Sequence, residues 1–124
     1  MKLRILAVVI ILIFLAGCAA VNTGGWPQGT QVGNPAWVDQ LINKFESNPV
    51  ANPPLSVWKY EYNGQVVYFV PAHCCDITSV VYDAEGTVMC APDGGIAGRG
   101  DGKCSDFFDK RSNEQLIWQD TRTR

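Results

Sequence analysis

The sequence has little of what hydrolytic, metal or nucleic-acid chemistry requires. Its one histidine, His73, cannot build a zinc centre of several histidines. Cys74 and Cys75 are neighbours, not the Cys-x-x-Cys spacing of redox enzymes and zinc sites. A thiol–imidazole dyad at His73 would draw on cysteines expected to be oxidised, so no enzyme and no cofactor is expected. No strand–Gly-x-x-x-x-Gly-Lys-Ser/Thr–helix arrangement exists to hold a phosphate, and no EF-hand spacing exists to hold calcium. Lysine and arginine do not cluster anywhere, which argues against nucleic acid and against electrostatic attachment to a membrane surface. No apolar run reaches the roughly twenty residues that a membrane-spanning helix needs, and no internal repeat is visible.

What the chain does have begins at its first residue. Lys2 and Arg4 precede an unbroken apolar run from Ile5 to Ala16, followed by Gly17-Cys18. A charged start, a short apolar stretch and small residues together predict a cleaved export signal over residues 1–17. With Lys2 and Arg4 removed, eight of the ten cations stand against all twelve acids, a net charge of −4 on residues 18–124. That length suits one small domain. Leu15-Ala16-Gly17-Cys18 resembles the lipobox of bacterial lipoproteins at all four positions. The resemblance implies that Cys18 receives a diacylglyceryl group and becomes an acylated amino end, with the membrane as a partner through that lipid. Two or three acyl chains hold a protein at about 0.8 kcal/mol per buried methylene. Ala19, rather than an aspartate, implies the outer membrane by the sorting rule of that class.

Four cysteines remain, Cys74, Cys75, Cys90 and Cys104. In an exported domain an even count predicts a disulfide framework. Joining Cys74 to Cys75 closes a strained eight-membered ring, so each is expected to reach one of Cys90 and Cys104. Such loops stabilise by on the order of 3 kcal/mol each.

Residues 18–34, the lipidated cysteine and a stretch rich in Gly, Asn, Thr and Gln, predict a flexible tether with Trp26 as its one large apolar side chain. The domain is expected over 35–120. Asn34 as N-cap and Pro35 in the first turn start a helix whose Trp37, Val38, Leu41, Ile42 and Phe45 form one stripe; Ser47-Asn48-Pro49 ends it. Asn63-Gly64 between two apolar runs predicts a hairpin over 57–70 with a type I′ turn. If Tyr62 pairs with Gln65, Trp58, Tyr60, Val67 and Phe69 share a face that is expected to receive the helix. A second hairpin is expected over 77–90, turning at Asp83–Gly86 and setting Cys90 opposite Ser79. Residues 91–103 carry too many glycines for regular structure, and a last strand is expected near 114–119. The fold class is α+β: one helix on an antiparallel sheet of about five strands, stapled by disulfides.

The candidate contact surface is this glycine-rich loop, with Asp93, Arg99, Asp101 and Lys103, together with the His73-Cys74-Cys75-Asp76 corner. It suits a binding or structural role towards an envelope ligand or protein. Two other readings attach to the same loop. Asp93, Asp101 and the nearby Asp106 offer oxygen ligands for calcium. Arg99 and Lys103 on a pinned loop suit a preorganised inhibitor of trypsin-like proteases. Arg99-Gly100-Asp101 also matches an adhesion tripeptide, a coincidence expected in a loop of this composition.

Tyr60-Glu-Tyr-Asn-Gly64, Val67-Tyr68, Cys74-Cys75-Asp76, Tyr82-Asp83, Cys90-Ala-Pro-Asp-Gly-Gly95 and Gly100-Asp-Gly-Lys-Cys104 together resemble a family of small bacterial lipoprotein and secreted domains without assigned function, across residues 36–119. The resemblance implies a single disulfide-stapled domain and supplies no catalytic residue, cofactor or partner.

Overall fold

The computed structural model describes residues 33–74 and 76–123. The expected export signal, Cys18, Trp26 and nearly all of the tether lie outside the described residues, as does Cys75. The described residues form one compact unit. Its elements are α1 (Ala36–Glu46), β1 (Ser56–Tyr62), β2 (Gln65–Val70), β3 (Val80–Tyr82), β4 (Val88–Cys90), α2 (Phe107–Lys110) and β5 (Ser112–Gln119). The strands form one antiparallel sheet in the order β4-β3-β2-β1-β5. The α+β class with a five-stranded sheet is as the sequence predicts.

The β1–β2 hairpin has the predicted register, Tyr62 against Gln65 and Trp58 against Phe69. Asn63 and Gly64 both hold positive φ, 49° and 76°, as the type I′ turn demands. The second hairpin departs from expectation. Cys90 stands opposite Val81, not Ser79, because the register shifts between Val81 and Tyr82. Asp83 explains the longer turn. Its carboxylate accepts the backbone N–H groups of Glu85 and Thr87 at 3.0 and 2.8 Å, while its own N–H donates to the Thr87 carbonyl.

Helix α1 starts one residue later than expected. Pro35 stays extended (ψ 144°) and its carbonyl accepts the first helical N–H, from Val38. Asn34 does not cap a backbone N–H; its amide points to Asp39. At the other end, Ser47 and Asn48 donate to the Asn43 and Lys44 carbonyls at 2.7 and 2.8 Å. Arg122 reaches three more, those of Phe45, Glu46 and Asn48, while its fork grips the buried Asp120 carboxylate at 2.8 and 2.9 Å. A cation placed on terminal carbonyls suits the negative end of a helix.

The helix does not cover the expected face. It packs on the opposite side of the sheet, where Val57, Tyr68 and Val70 are buried beneath Trp37, Leu41, Ile42 and Phe45. Trp37 sets its ring edge-on to Tyr68 at 5.1 Å and donates to the Ala84 carbonyl. The face of Trp58, Tyr60, Val67 and Phe69 is covered instead by Phe107 of α2 and by Cys104. The physical reason lies in β2, whose Val67–Val70 run is buried throughout. A strand apolar on both faces needs a cover on each, and the one amphipathic helix supplies only one.

Candidate functional site

The second cover grows out of β4. After Cys90 the chain makes a run of turns through 91–106, and Cys90 and Cys104 are bonded to each other across a separation of 14 residues. This overturns the expected pairing of Cys74 and Cys75 with those two. Cys90 and Cys104 face the same buried cluster beneath Phe107, each only 3 % exposed, while Cys74 stands on the outer surface. Burial sorted the cysteines, and sequence separation did not.

The loop is irregular but not loose. Residues 93–95 lie along 77–79. Ser79 N–H donates to the Asp93 carbonyl at 3.1 Å, and Gly95 N–H donates to the Ile77 carbonyl at 3.2 Å. Gly100 N–H returns to the Gly94 carbonyl, and Asp101 N–H to that of Ala91. Two glycines permit this. At Gly94 (φ +79°) a Cβ would sit 2.5 Å from the Ile77 carbonyl oxygen, and at Gly100 (φ +61°) it would overlap the Ala91 carbonyl. The expected meeting of the loop with the Cys74 corner does occur, through this stitching.

Between them lies an open depression of about 460 Å³. Gly94, Gly95 and Gly98 give it one wall, and Ala72, His73, Cys74 and Ile77 give it another, with Asn52 and Pro53 at its end. The Asn52–Pro53 bond is cis. The lining is mostly apolar, with Asn52 and His73 as its polar side chains. None of the four charged candidates lines it. Asp93 turns inward, and its Oδ1 is buried with no hydrogen-bond partner among the described residues. Arg99 is exposed beyond the rim. Asp101 is held by its own turn: the Lys103 backbone N–H, at 3.0 Å, lowers the carboxyl's pKa, and the Lys103 ammonium lies 3.9 Å away. Ile96, between the glycines, is 94 % exposed.

Asp106 is not part of this surface. It accepts the Tyr62 hydroxyl at 2.6 Å and the Lys110 ammonium at 2.7 Å, and the lysine, followed by the tyrosine, holds its carboxyl below the usual carboxylate range. The three carboxylates offered for calcium therefore serve separate partners or none. Among the described residues no three His, Cys, Asp or Glu side chains converge as metal ligands would.

A second polar cluster, which sequence reasoning missed, sits where α2 meets β1 and β5. Arg111 lies over the Tyr60 and Phe108 rings, 4.5 and 4.9 Å from their centres, and donates to the Tyr60 oxygen at 3.0 Å. The Tyr60 hydroxyl donates in turn to Glu114 at 2.7 Å. Burial, then that hydrogen bond, pushes the Tyr60 pKa up to about 12. Each group has a partner within the fold, so the cluster orders α2 and leaves no group directed at a ligand. No sequence signal joins residues 60, 111 and 114 until β5 is paired with β1.

The family described as Domain of unknown function (DUF6970) matches residues 43–120, more than half of the chain. The chain belongs to that family. The DUF6970 match takes in the whole sheet, the Cys90–Cys104 loop and the depression. No curated protein and no solved structure matches the chain.

Proposed function

We propose that this DUF6970 chain is a bacterial envelope lipoprotein, anchored by acyl chains on Cys18, whose domain binds or structures an envelope component without catalysing a reaction. The observation that carries the reading is the sequence Leu15-Ala16-Gly17-Cys18 at the end of a short apolar run behind Lys2 and Arg4. A disulfide-closed loop in the domain suits an oxidising compartment. The proposed membrane is the outer one, from Ala19. The depression between the glycine loop and the His73–Cys74 corner is the proposed contact surface, with an envelope protein or other envelope ligand as the partner.

The protease-inhibitor reading draws less support from the geometry. Arg99 is exposed, but Gly98 and Gly100 on either side both hold positive φ. An extended segment that pairs with a cleft by β-augmentation does not turn twice in three residues.

The test is fractionation and intact mass of the full-length protein expressed in a bacterium. The expected product begins at Cys18, carries diacylglyceryl and acyl groups, and leaves the membrane only with detergent. Cys18→Ala should release it from the membrane pool or leave it uncleaved. A wild-type protein that is soluble after export, or that begins at another residue without lipid, would overturn the proposal.

A further inference from the structure

Ile96 is 94 % exposed, while Val88, the next large apolar side chain among the described residues, is 62 % exposed. A single exposed aliphatic side chain is ordinary, but this one is presented. Gly98 N–H donates to the Gly95 carbonyl at 3.0 Å, which closes a four-residue turn with Ile96 and Ala97 at its corners. Gly95 N–H is itself held by the Ile77 carbonyl at 3.2 Å. Ile77, Pro53 and Ala72 line the depression opposite Gly95 and Gly98, and Ile96 does not line it. The loop therefore fixes an apolar knob beside an apolar hollow that the same chain leaves unfilled.

We propose that a second copy of this chain occupies the surface, with Ile96 of each copy seated in the depression of the other. The proposal deepens the contact-surface reading above and rests on it. A patch that carries both a knob and a hollow is complementary to itself about a two-fold axis, the commonest symmetry of paired chains. The charges agree with that arrangement. Arg99 follows Gly98 on the glycine wall, and Asp76 precedes Ile77 on the other. Both are exposed, and neither has an ion pair among the described residues. A two-fold axis through the patch turns the glycine wall of one copy towards the Ile77 wall of the other. Each Arg99 then approaches an Asp76, and like charges stay apart. An open hollow of about 460 Å³ admits an aliphatic side chain but does not enclose a small molecule as a ligand pocket does.

One loop and one corner are smaller than the roughly 800 Å² per partner of a standard interface, so freely diffusing chains pair weakly. Chains anchored in one membrane face the same way and meet at a far higher effective concentration. Because the turn is already hydrogen-bonded in the single chain, pairing orders little.

The experiment irradiates living bacteria that make the full-length chain with Ala97 replaced by the photoreactive p-benzoylphenylalanine, so that Ile96 is kept. The expected product is an adduct of two copies, mapped to Pro53, Ala72 or Ile77 of the second. In that background Ile96→Ala should weaken pairing on the order of 100-fold, about tenfold for each of two knobs. Arg99→Asp and Asp76→Arg should each abolish the adduct, because like charges then meet twice. Making both variants in one cell should restore it, because one copy then offers two acids and the other two cations. An adduct that Ile96→Ala leaves unchanged, or no rescue in the mixture, would overturn the pairing. Adducts to a different protein would overturn the second copy and spare the contact surface. Adducts to lipid alone, or none, would sink both readings.

Discussion

At the scale of single residues, the loop depends on backbone atoms coming closer than any side chain permits. Gly94 and Gly102 share nearly the same φ, +79° and +76°, but a Cβ at Gly94 would meet the Ile77 carbonyl and Thr78 Cα, whereas at Gly102 it would meet nothing within 4 Å. The pair therefore separates conformational strain from collision. Gly102→Ala should lose about 1 kcal/mol, the cost of a left-handed alanine. Gly94→Ala should lose that and at least about 2 kcal/mol more, because 77–79 must move away from the loop. Urea denaturation of the oxidised proteins checks the ordering. Equal midpoints for the two variants would show that the stitching to 77–79 contributes nothing. The glycine content of 91–103 announced an irregular loop in the sequence. Which glycines are obligatory was not legible, since that depends on the backbone the fold brings against them, Ile77 and Thr78 at Gly94 and Ala91 at Gly100.

At the scale of elements, the sheet has two covers and only one announced itself. Helix α1 carries a stripe of apolar residues at helical spacing, and Asn63-Gly64 fixes the register of β1 on β2, so both were legible. The cover formed by 91–111 has no period to detect. It is four helical residues, a disulfide and two adjacent aromatic rings, Phe107 and Phe108, set in turns. Phe107 is fully buried, edge-on to Tyr60 and Tyr62 at 5.7 and 5.3 Å and tilted against Phe69 at 5.2 Å. Because this cover went unseen, the apolar face of Trp58, Tyr60, Val67 and Phe69 was assigned to the helix, and the opposite face was left without one. The continuous Val66–Val70 run was the available signal, since a strand with one wet face alternates. Phe107→Ala should cost about 3–5 kcal/mol, the range for truncating a buried aromatic. That is a large share of the 5–15 kcal/mol typical of a domain. Phe108→Ala, 40 % exposed, is the matched control and should cost clearly less. If the two variants unfold at the same urea concentration, α2 is not the lid of the second core.

At the scale of the whole molecule, stability should be bounded on both sides by groups whose ionisation the fold resists or demands. The chain's four tyrosines are all shifted upward. Burial is the chief cause at Tyr60, Tyr68 and Tyr82, and the hydrogen bond to Asp106 is the chief cause at Tyr62. A group with a raised folded pKa contributes stability that is complete below its unfolded value, about 10 for tyrosine, and lost as pH rises through the folded one, about 12 for Tyr60. On the acid side Asp101, Asp106 and Asp120 are lowered, chiefly by the Lys103 backbone N–H, Lys110 and Arg122 respectively. Their contribution is present above the unfolded carboxylate value of about 4 and is lost as pH falls through the lower folded values. The losses that these groups cause are thereby confined to below about pH 4 and above about pH 10. In an alkaline titration, phenolate absorbance and the loss of tertiary circular dichroism should rise together above pH 10, because the tyrosines ionise fully only as the sheet opens. Tyrosines that titrate at their ordinary value while the dichroism persists would mean that the two cores are open to water. Arg122→Ala should make the acid-side loss shallower, because Asp120 then lacks the partner that lowers its carboxyl, and should also loosen the α1 terminus. A variant whose acid profile matches wild type would place the Asp120–Arg122 clamp outside the cooperative unit.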